Sequence, residues 1–217
     1  MTRINIAVMV SSHGRGSNMQ AIIDACQHGS INGQVGVVIG TRADAPAMER
    51  ARSQGIPVVE VQPKSFASDA DYASRLLEVL AQYKVDLICL AGYMRILPSE
   101  VVAAYRWRIM NIHPALIPMF CGQGMYGERV HQAALEYGVK VSGCTVHFVD
   151  EEYDTGPIII QKCVPVEEGD TPETLAARVL SQEHKAYPEA IRLFALGRLK
   201  VEGRVVHVLP HQSGEQQ

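Results

Sequence analysis

The sequence predicts an α/β fold, a single domain with a mostly parallel twisted sheet and helices on both faces. Two observations carry that expectation. Short apolar runs rich in β-branched residues recur at 4–10, 34–39, 57–61 and 85–92, and amphipathic stretches with helical spacing separate them. Alternation at that interval is what right-handed crossovers between parallel strands require. The first and fourth runs then lead into glycine, at Gly14 and Gly16 and at Gly92. Open sheets of this kind collect their ligands beyond the carboxyl ends of the strands.

The run at 4–10 is followed by Ser11, Ser12, His13, Gly14, Arg15, Gly16, Ser17 and Asn18, then by a helical pattern with Met19, Ile22, Ile23 and Cys26 on one face and Gly29 as its stop. This is strand, glycine loop, helix. Ser17 or Asn18 can cap the helix, whose amides and positive dipole end favour an anion, and Arg15 can add a charge-assisted bond. Phosphate is the natural guest. A bare turn is the competing reading, because the loop lacks the third glycine of a dinucleotide fingerprint and the Gly-Lys-Ser/Thr of a triphosphate loop. The spacing next predicts a strand at 34–39, a helix at 46–54 with Pro46 in its first turn, and a strand at 57–61. A helix at 69–82 carries Tyr72, Leu76, Leu77 and Leu80, and the fourth strand ends at Gly92.

The stretch of most chemical interest is Met110, Asn111, Ile112, His113 and Pro114. If 109–112 is extended, its period of two puts Asn111 and His113 on one side of the backbone. Pro114 biases His113 toward an extended conformation and ends the strand there. An amide beside an imidazole at the mouth of a sheet can hold a developing oxyanion and manage a proton, as acyl transfer requires. The competing reading is a pair of locally hydrogen-bonded polar residues.

Composition narrows the classes. At 217 residues, 47% of them hydrophobic and 20% charged, with a net charge of -3, the chain reads as an ordinary globular domain. No basic excess points to nucleic acid or to an anionic membrane, and no apolar run approaches a bilayer span. The five cysteines, Cys26, Cys89, Cys121, Cys144 and Cys163, are scattered and form no Cys-x-x-Cys pair, so neither a disulfide framework nor a metal site is suggested. Reduced thiols in a cytoplasmic protein are the simplest account. Cys121 has no neighbour in sequence that would lower its pKa.

Beyond Pro114 the pattern loosens. The connection 114–130 is glycine-rich and aperiodic, and its 119–129 part is expected to be a mobile lid. A helix at 130–137 stops at Gly138, and an extended run covers 139–149, in which His147 reads as a hydrogen-bonded structural residue rather than a second base. Asp150, Glu151, Glu152 and Asp154 are four carboxylates in five positions. Such clusters are commonly solvated loops, but one of these can pair with His113, fix its tautomer and raise the pKa of its imidazolium form. A strand at 158–166 follows, then a helix opening at Thr171, Pro172 and Glu173 and running to about Leu196, with a break near Pro188. A short strand at 205–208 and a frayed polar tail at 211–217 complete a domain spanning 1–209.

Taken in order, these stretches resemble the folate-dependent formyltransferases, and among them the branch of purine synthesis. The matching pieces are Gly16-Ser17-Asn18-Met19-Gln20, Ala91-Gly92-Tyr93-Met94-Arg95-Ile96-Leu97, Asn111-Ile112-His113-Pro114, Asp154-Thr155-Gly156-Pro157 and Gln182-Glu183-His184. The resemblance implies a Rossmann-like fold. It also implies transfer of the formyl group of 10-formyltetrahydrofolate, the co-substrate, to the amine of 5'-phosphoribosylglycinamide, with no metal and no protein nucleophile. Asn111, His113 and Asp154 would then be catalytic. Gly16, Ser17, Asn18, Gln182 and Glu183 would hold the phosphorylated amine. Met94, Arg95, Ile96, Leu97, Asn111 and the loop residues Asp150, Glu151, Glu152, Tyr153 and Asp154 would line the folate pocket.

The chain departs from the family in two places. It reads Phe66-Ala67-Ser68-Asp69 where some relatives carry an arginine, and its lid is longer and richer in glycine. Two rivals share the chemistry. A methionyl-tRNA formyltransferase would need a further domain to grip tRNA, and a formyltetrahydrofolate deformylase would have no use for a phosphate loop. A non-catalytic nucleotide or folate sensor would not require Asn111, His113 and Asp154 together. Monomer and homodimer both fit the sequence.

Overall fold

The computed structural model describes residues 3–11 and 14–210, so the expected tail at 211–217 and the loop residues Ser12 and His13 lie outside the described residues. In chain order the elements are β1 (Ile4–Val10), α1 (Ser17–Gln27), β2 (Gly33–Gly40), α2 (Pro46–Ser53), β3 (Val58–Glu60) and a 3-10 turn (Pro63–Ser65). Then come α3 (Asp69–Gln82), β4 (Leu87–Leu90), α4 (Ser99–Ala104), β5 (Ile109–His113) and α5 (Glu128–Tyr137). The chain continues with β6 (Val141–Phe148), β7 (Ile158–Pro165), α6 (Pro172–Ala195), β8 (Leu199–Glu202) and β9 (Val205–Val208).

The nine strands form one sheet in the order β3-β2-β1-β4-β5-β6-β7-β9-β8. Pairing is parallel from β3 through β5 and again between β7 and β9. It turns antiparallel on both sides of β6 and in the β8–β9 hairpin. Alternation within β1 explains the layers. Ile6, Val8 and Val10 face a core built with Met19 and Ile22 of α1, Met48 of α2 and Tyr187 of α6. Ala7 and Met9 face a second core with Tyr72, Leu76 and Leu80 of α3 and Val101 of α4. Side chains of one strand thus serve both faces, as a buried parallel strand must.

Besides the start of α1, three elements differ from expectation. The helix α6 runs unbroken through Pro188. An interior proline costs about 3 kcal/mol in an exposed helix, but here Ala186, Tyr187, Ala190 and Ile191 are fully buried on either side of it. Tyr187 also donates its hydroxyl toward the carbonyls of Leu90 at 3.0 Å and Met110 at 2.8 Å, tying the helix to the end of β4 and to β5. Packing therefore outweighs local propensity. Helix α4, six residues long, is too short to show a helical period, and the alternation of β8 emerges only once β9 pairs with it.

Candidate active site

Helix α1 does not begin where the sequence suggested. Gly16 is its N-cap, with φ +73°, and neither Ser17 nor Asn18 caps it. A Cβ at Gly16 would lie 2.9 Å from the Cβ of Ala47, so α2 packs against the bare backbone and only glycine fits. Asn18 has another partner: its Nδ2 donates to Oε2 of Glu183 on α6 at 2.6 Å. Burial pushes the Glu183 carboxyl above its ordinary value, and the bond from Asn18 only partly offsets this. The β1 and β4 ends are tied together as well, since Met94 N–H donates to Ser11 Oγ at 2.8 Å.

A cavity of about 900 Å³ opens over these strand ends. Arg15, Asn18, Met94, Arg95, Ile96, Leu97, Asn111, His113, Asp150, Glu152, Tyr153, Asp154 and Glu183 all line it, together with lid residues from Gly122 to Gly127. Not every expected residue reaches this wall. Gly16 is buried beneath it, and Ser17 faces a shallower depression between α1 and α6. Gln182 is half-buried on α6 without lining the cavity, and Glu151 points outward to an exposed ion pair with Arg106 at 3.3 Å.

The register of β5 with β6 builds the centre. It sets Asn111 opposite His147 and His113 opposite Thr145. Asp154 arrives from the acidic loop with φ +56°, a left-handed conformation that aspartate tolerates better than most residues. The turn behind it depends on Gly156, where a Cβ would sit 1.8 Å from the Phe148 carbonyl oxygen. Asp154 Oδ2 lies 3.5 Å from His113 Nδ1, and Oδ1 lies 3.6 Å from His147 Nε2. Asn111 Nδ2 stands between them, 3.3 Å from Asp154 Oδ1 and 3.2 Å from His147 Nε2.

The lid closes on this cluster through its backbone. His113 Nε2 donates to the Phe120 carbonyl at 2.8 Å, and Gly122 N–H donates to Asp154 Oδ2 at 2.9 Å. A carbonyl can only accept, so Nε2 carries a hydrogen and Nδ1 faces the carboxylate. Two acceptors flanking one ring favour imidazolium, while burial opposes it. Burial prevails: it holds His113 below the ordinary imidazole value, with Asp154 and the Phe120 carbonyl pulling the other way. The expected net rise in His113 is therefore corrected, because the carboxylate's pull is real but smaller than the cost of desolvation. For Asp154, burial pushes upward, yet the neighbouring His147 and His113 rings and the bond from the Gly122 amide together leave it below the ordinary carboxylate range.

Sequence reasoning left His147 and His131 out of the site. His147 is hydrogen-bonded as expected, donating from Nδ1 to the Phe148 carbonyl at 2.8 Å, but its other nitrogen belongs to the central cluster. The pairing of 109–113 with 141–148 was the missing signal. His131 shares the buried face of α5 with Ala134, three residues on, and also lines the cavity. Cys121 lies in the lid with its thiol pushed up by burial and by Asp154, which disfavours the nucleophilic thiolate.

Comparisons with known proteins point to one family. A family profile described as Formyl transferase matches residues 4–191. The chain is 48% identical over 199 residues to the chloroplastic phosphoribosylglycinamide formyltransferase of Arabidopsis thaliana, covering 91% of this chain and 68% of that protein. It is 44% identical to phosphoribosylglycinamide formyltransferase of Escherichia coli (strain K12), covering 91% of this chain and 90% of the relative. It spans only 19% of the human trifunctional purine biosynthetic protein adenosine-3, at 40% identity over 92% of this chain. Among solved structures it is similar to glycinamide ribonucleotide transformylase 1 from Symbiobacterium toebii, with TM-score 0.89 and 50% identity over 96% of this chain and 95% of that one.

Proposed function

This chain belongs to the formyl transferase family, and on that premise we propose that it transfers the formyl group of 10-formyltetrahydrofolate to the amine of 5'-phosphoribosylglycinamide. The observation that carries the reading is the meeting of Asn111, His113 and Asp154 at one cavity wall, beside the glycine loop and Glu183.

The chemistry follows from those atoms. The acceptor amine attacks the formyl carbon, a tetrahedral oxyanion forms, and the oxyanion collapses as the bond from that carbon to the folate nitrogen breaks, that nitrogen leaving with the proton the amine shed. Asn111 Nδ2 is the donor placed to meet the oxyanion, and the ring of His113 becomes a second donor once it has taken up a proton. The Asn111 bonds at 3.2 and 3.3 Å are long enough for a formyl oxygen to compete for one of its hydrogens. Asp154 offsets the charge that His113 gains when it takes the proton shed by the attacking amine. No serine or cysteine nucleophile enters, because the nucleophile comes with the substrate.

The two substrates divide the cavity. Met94, Arg95, Ile96 and Leu97 face the loop of Asp150, Glu152, Tyr153 and Asp154, a slot suited to a flat pterin. At the N-terminus of α1, Arg15 and Asn18 line the end suited to the phosphate, over the buried backbone of Gly16, and Glu183 suits the polar end of the phosphorylated amine.

The test is turnover of 10-formyltetrahydrofolate, followed by absorbance with and without phosphoribosylglycinamide, in wild type and His113→Ala. Acceptor-dependent turnover, lost in the variant, is the expected result. Formate release in wild type without acceptor would make the chain a deformylase, and binding without turnover would make it a sensor.

A further inference from the structure

His131 is buried to 4% exposure on α5, lines the cavity, and has a buried Nδ1 with no hydrogen-bond partner among the described residues. Its helix packs against α6, the element that carries Glu183, and its ring is near enough to His113 to feel that charge. So it lines the cavity from a helix packed against the one that carries Glu183, the residue placed at the phosphorylated amine.

An imidazole must place at least one hydrogen on a ring nitrogen. A sealed N–H without an acceptor is costly, whereas an unpaired lone pair costs less. The hydrogen therefore belongs on Nε2, since Nδ1 is the sealed, unpartnered nitrogen and the residue lines the cavity. Burial first, and the His113 charge second, hold the ring below the ordinary imidazole value, which keeps it uncharged near neutrality. Nothing in the chemistry of Asn111, His113 and Asp154 uses this group.

We propose that His131 is a substrate-binding residue, whose Nε2–H donates to an oxygen acceptor on the phosphorylated amine rather than on the folate. The inference rests on the function proposed above. A donor that is neutral and already desolvated discriminates by geometry, since it gains little from charge and leaves an unmet N–H when the oxygen is missing.

The test is steady-state kinetics of His131→Ala and His131→Gln, with melting temperatures to confirm folding, and a tautomer assignment of the wild-type ring by nitrogen NMR. His131→Ala should raise KM for phosphoribosylglycinamide by roughly 3- to 10-fold with KM for 10-formyltetrahydrofolate unchanged, and His131→Gln, which keeps a donor, should recover part of the loss. The ring should be the Nε2–H tautomer. An unchanged acceptor KM in a folded His131→Ala, an equal effect on both substrates, or an Nδ1–H tautomer would overturn the proposal. If neither variant folds, the tautomer alone decides it. Absence of wild-type turnover with this substrate pair would instead overturn the function proposed above.

Discussion

The two halves of the sheet solve different problems. From β1 to β5 the strands run parallel, are buried on both faces apart from the edge strand β3, and deliver Met94, Asn111 and His113 to one rim through topology alone. Beyond β5 the pairing turns antiparallel on both sides of β6, and this half contributes what regular structure cannot: a lid that donates and accepts through its backbone, a histidine set by register, and a carboxylate at positive φ. The first half is a scaffold; the second completes its charges. Neither half holds a full catalytic set.

Breaking the link between halves should have the largest effect. Asn111→Ala, His113→Ala or Asp154→Asn should each lower kcat by roughly 100- to 1,000-fold with the melting temperature little changed, measured as formyl transfer at saturating substrates. A loss under tenfold would mean that the residues are neighbours without a shared task. The next effect is on the second half alone. Gly156→Ala must displace the Phe148 carbonyl or the turn that carries Asp154, so a stability loss of about 1–3 kcal/mol is expected, together with reduced activity. Denaturant unfolding checks the first and turnover the second.

Acid should separate the halves more gently. His113, His131 and His184 all sit below the ordinary imidazole value because of burial, so the unfolded chain binds protons more readily than the folded one. Stability from these groups is complete above the ordinary imidazole value and is lost as pH falls from there toward their depressed values. Melting temperature measured down from pH 8 should hold and then decline below about pH 6.5. By NMR, His113 should titrate below that value, and Asp154→Asn should lower it further, since the carboxylate is what pulls it up. The smallest effect belongs to Glu151→Gln. Its exposed pair with Arg106 is worth about 0–1 kcal/mol, and KM for folate should not move, in contrast to Asp154 three positions later.

The same contrast explains what could be read from the chain. In the first half each strand reports itself through a buried apolar run, and its carboxyl end is a topological consequence, so the convergence of Gly92, Asn111 and His113 follows from spacing. The exception is the start of α1, where Gly16 is dictated by the approach of Ala47, a residue that sequence order does not place beside it. In the second half the deciding facts are long-range. Which of four neighbouring carboxylates meets His113 depends on a turn that needs Gly156 bare, and whether Pro188 breaks a helix depends on the burial of Tyr187. The sign of the His113 shift is of the same kind, since a sequence displays the carboxylate but not the depth of burial that outweighs it.

The central claim is that His113 from β5 and Asp154 from the acidic loop act as one unit in formyl transfer. A double-mutant cycle in kcat/KM, using His113→Ala, Asp154→Asn and the pair, tests it most directly. A double variant about as impaired as the worse single variant is the predicted result. Costs that simply multiply would mean that the two residues work independently, and would contradict the account.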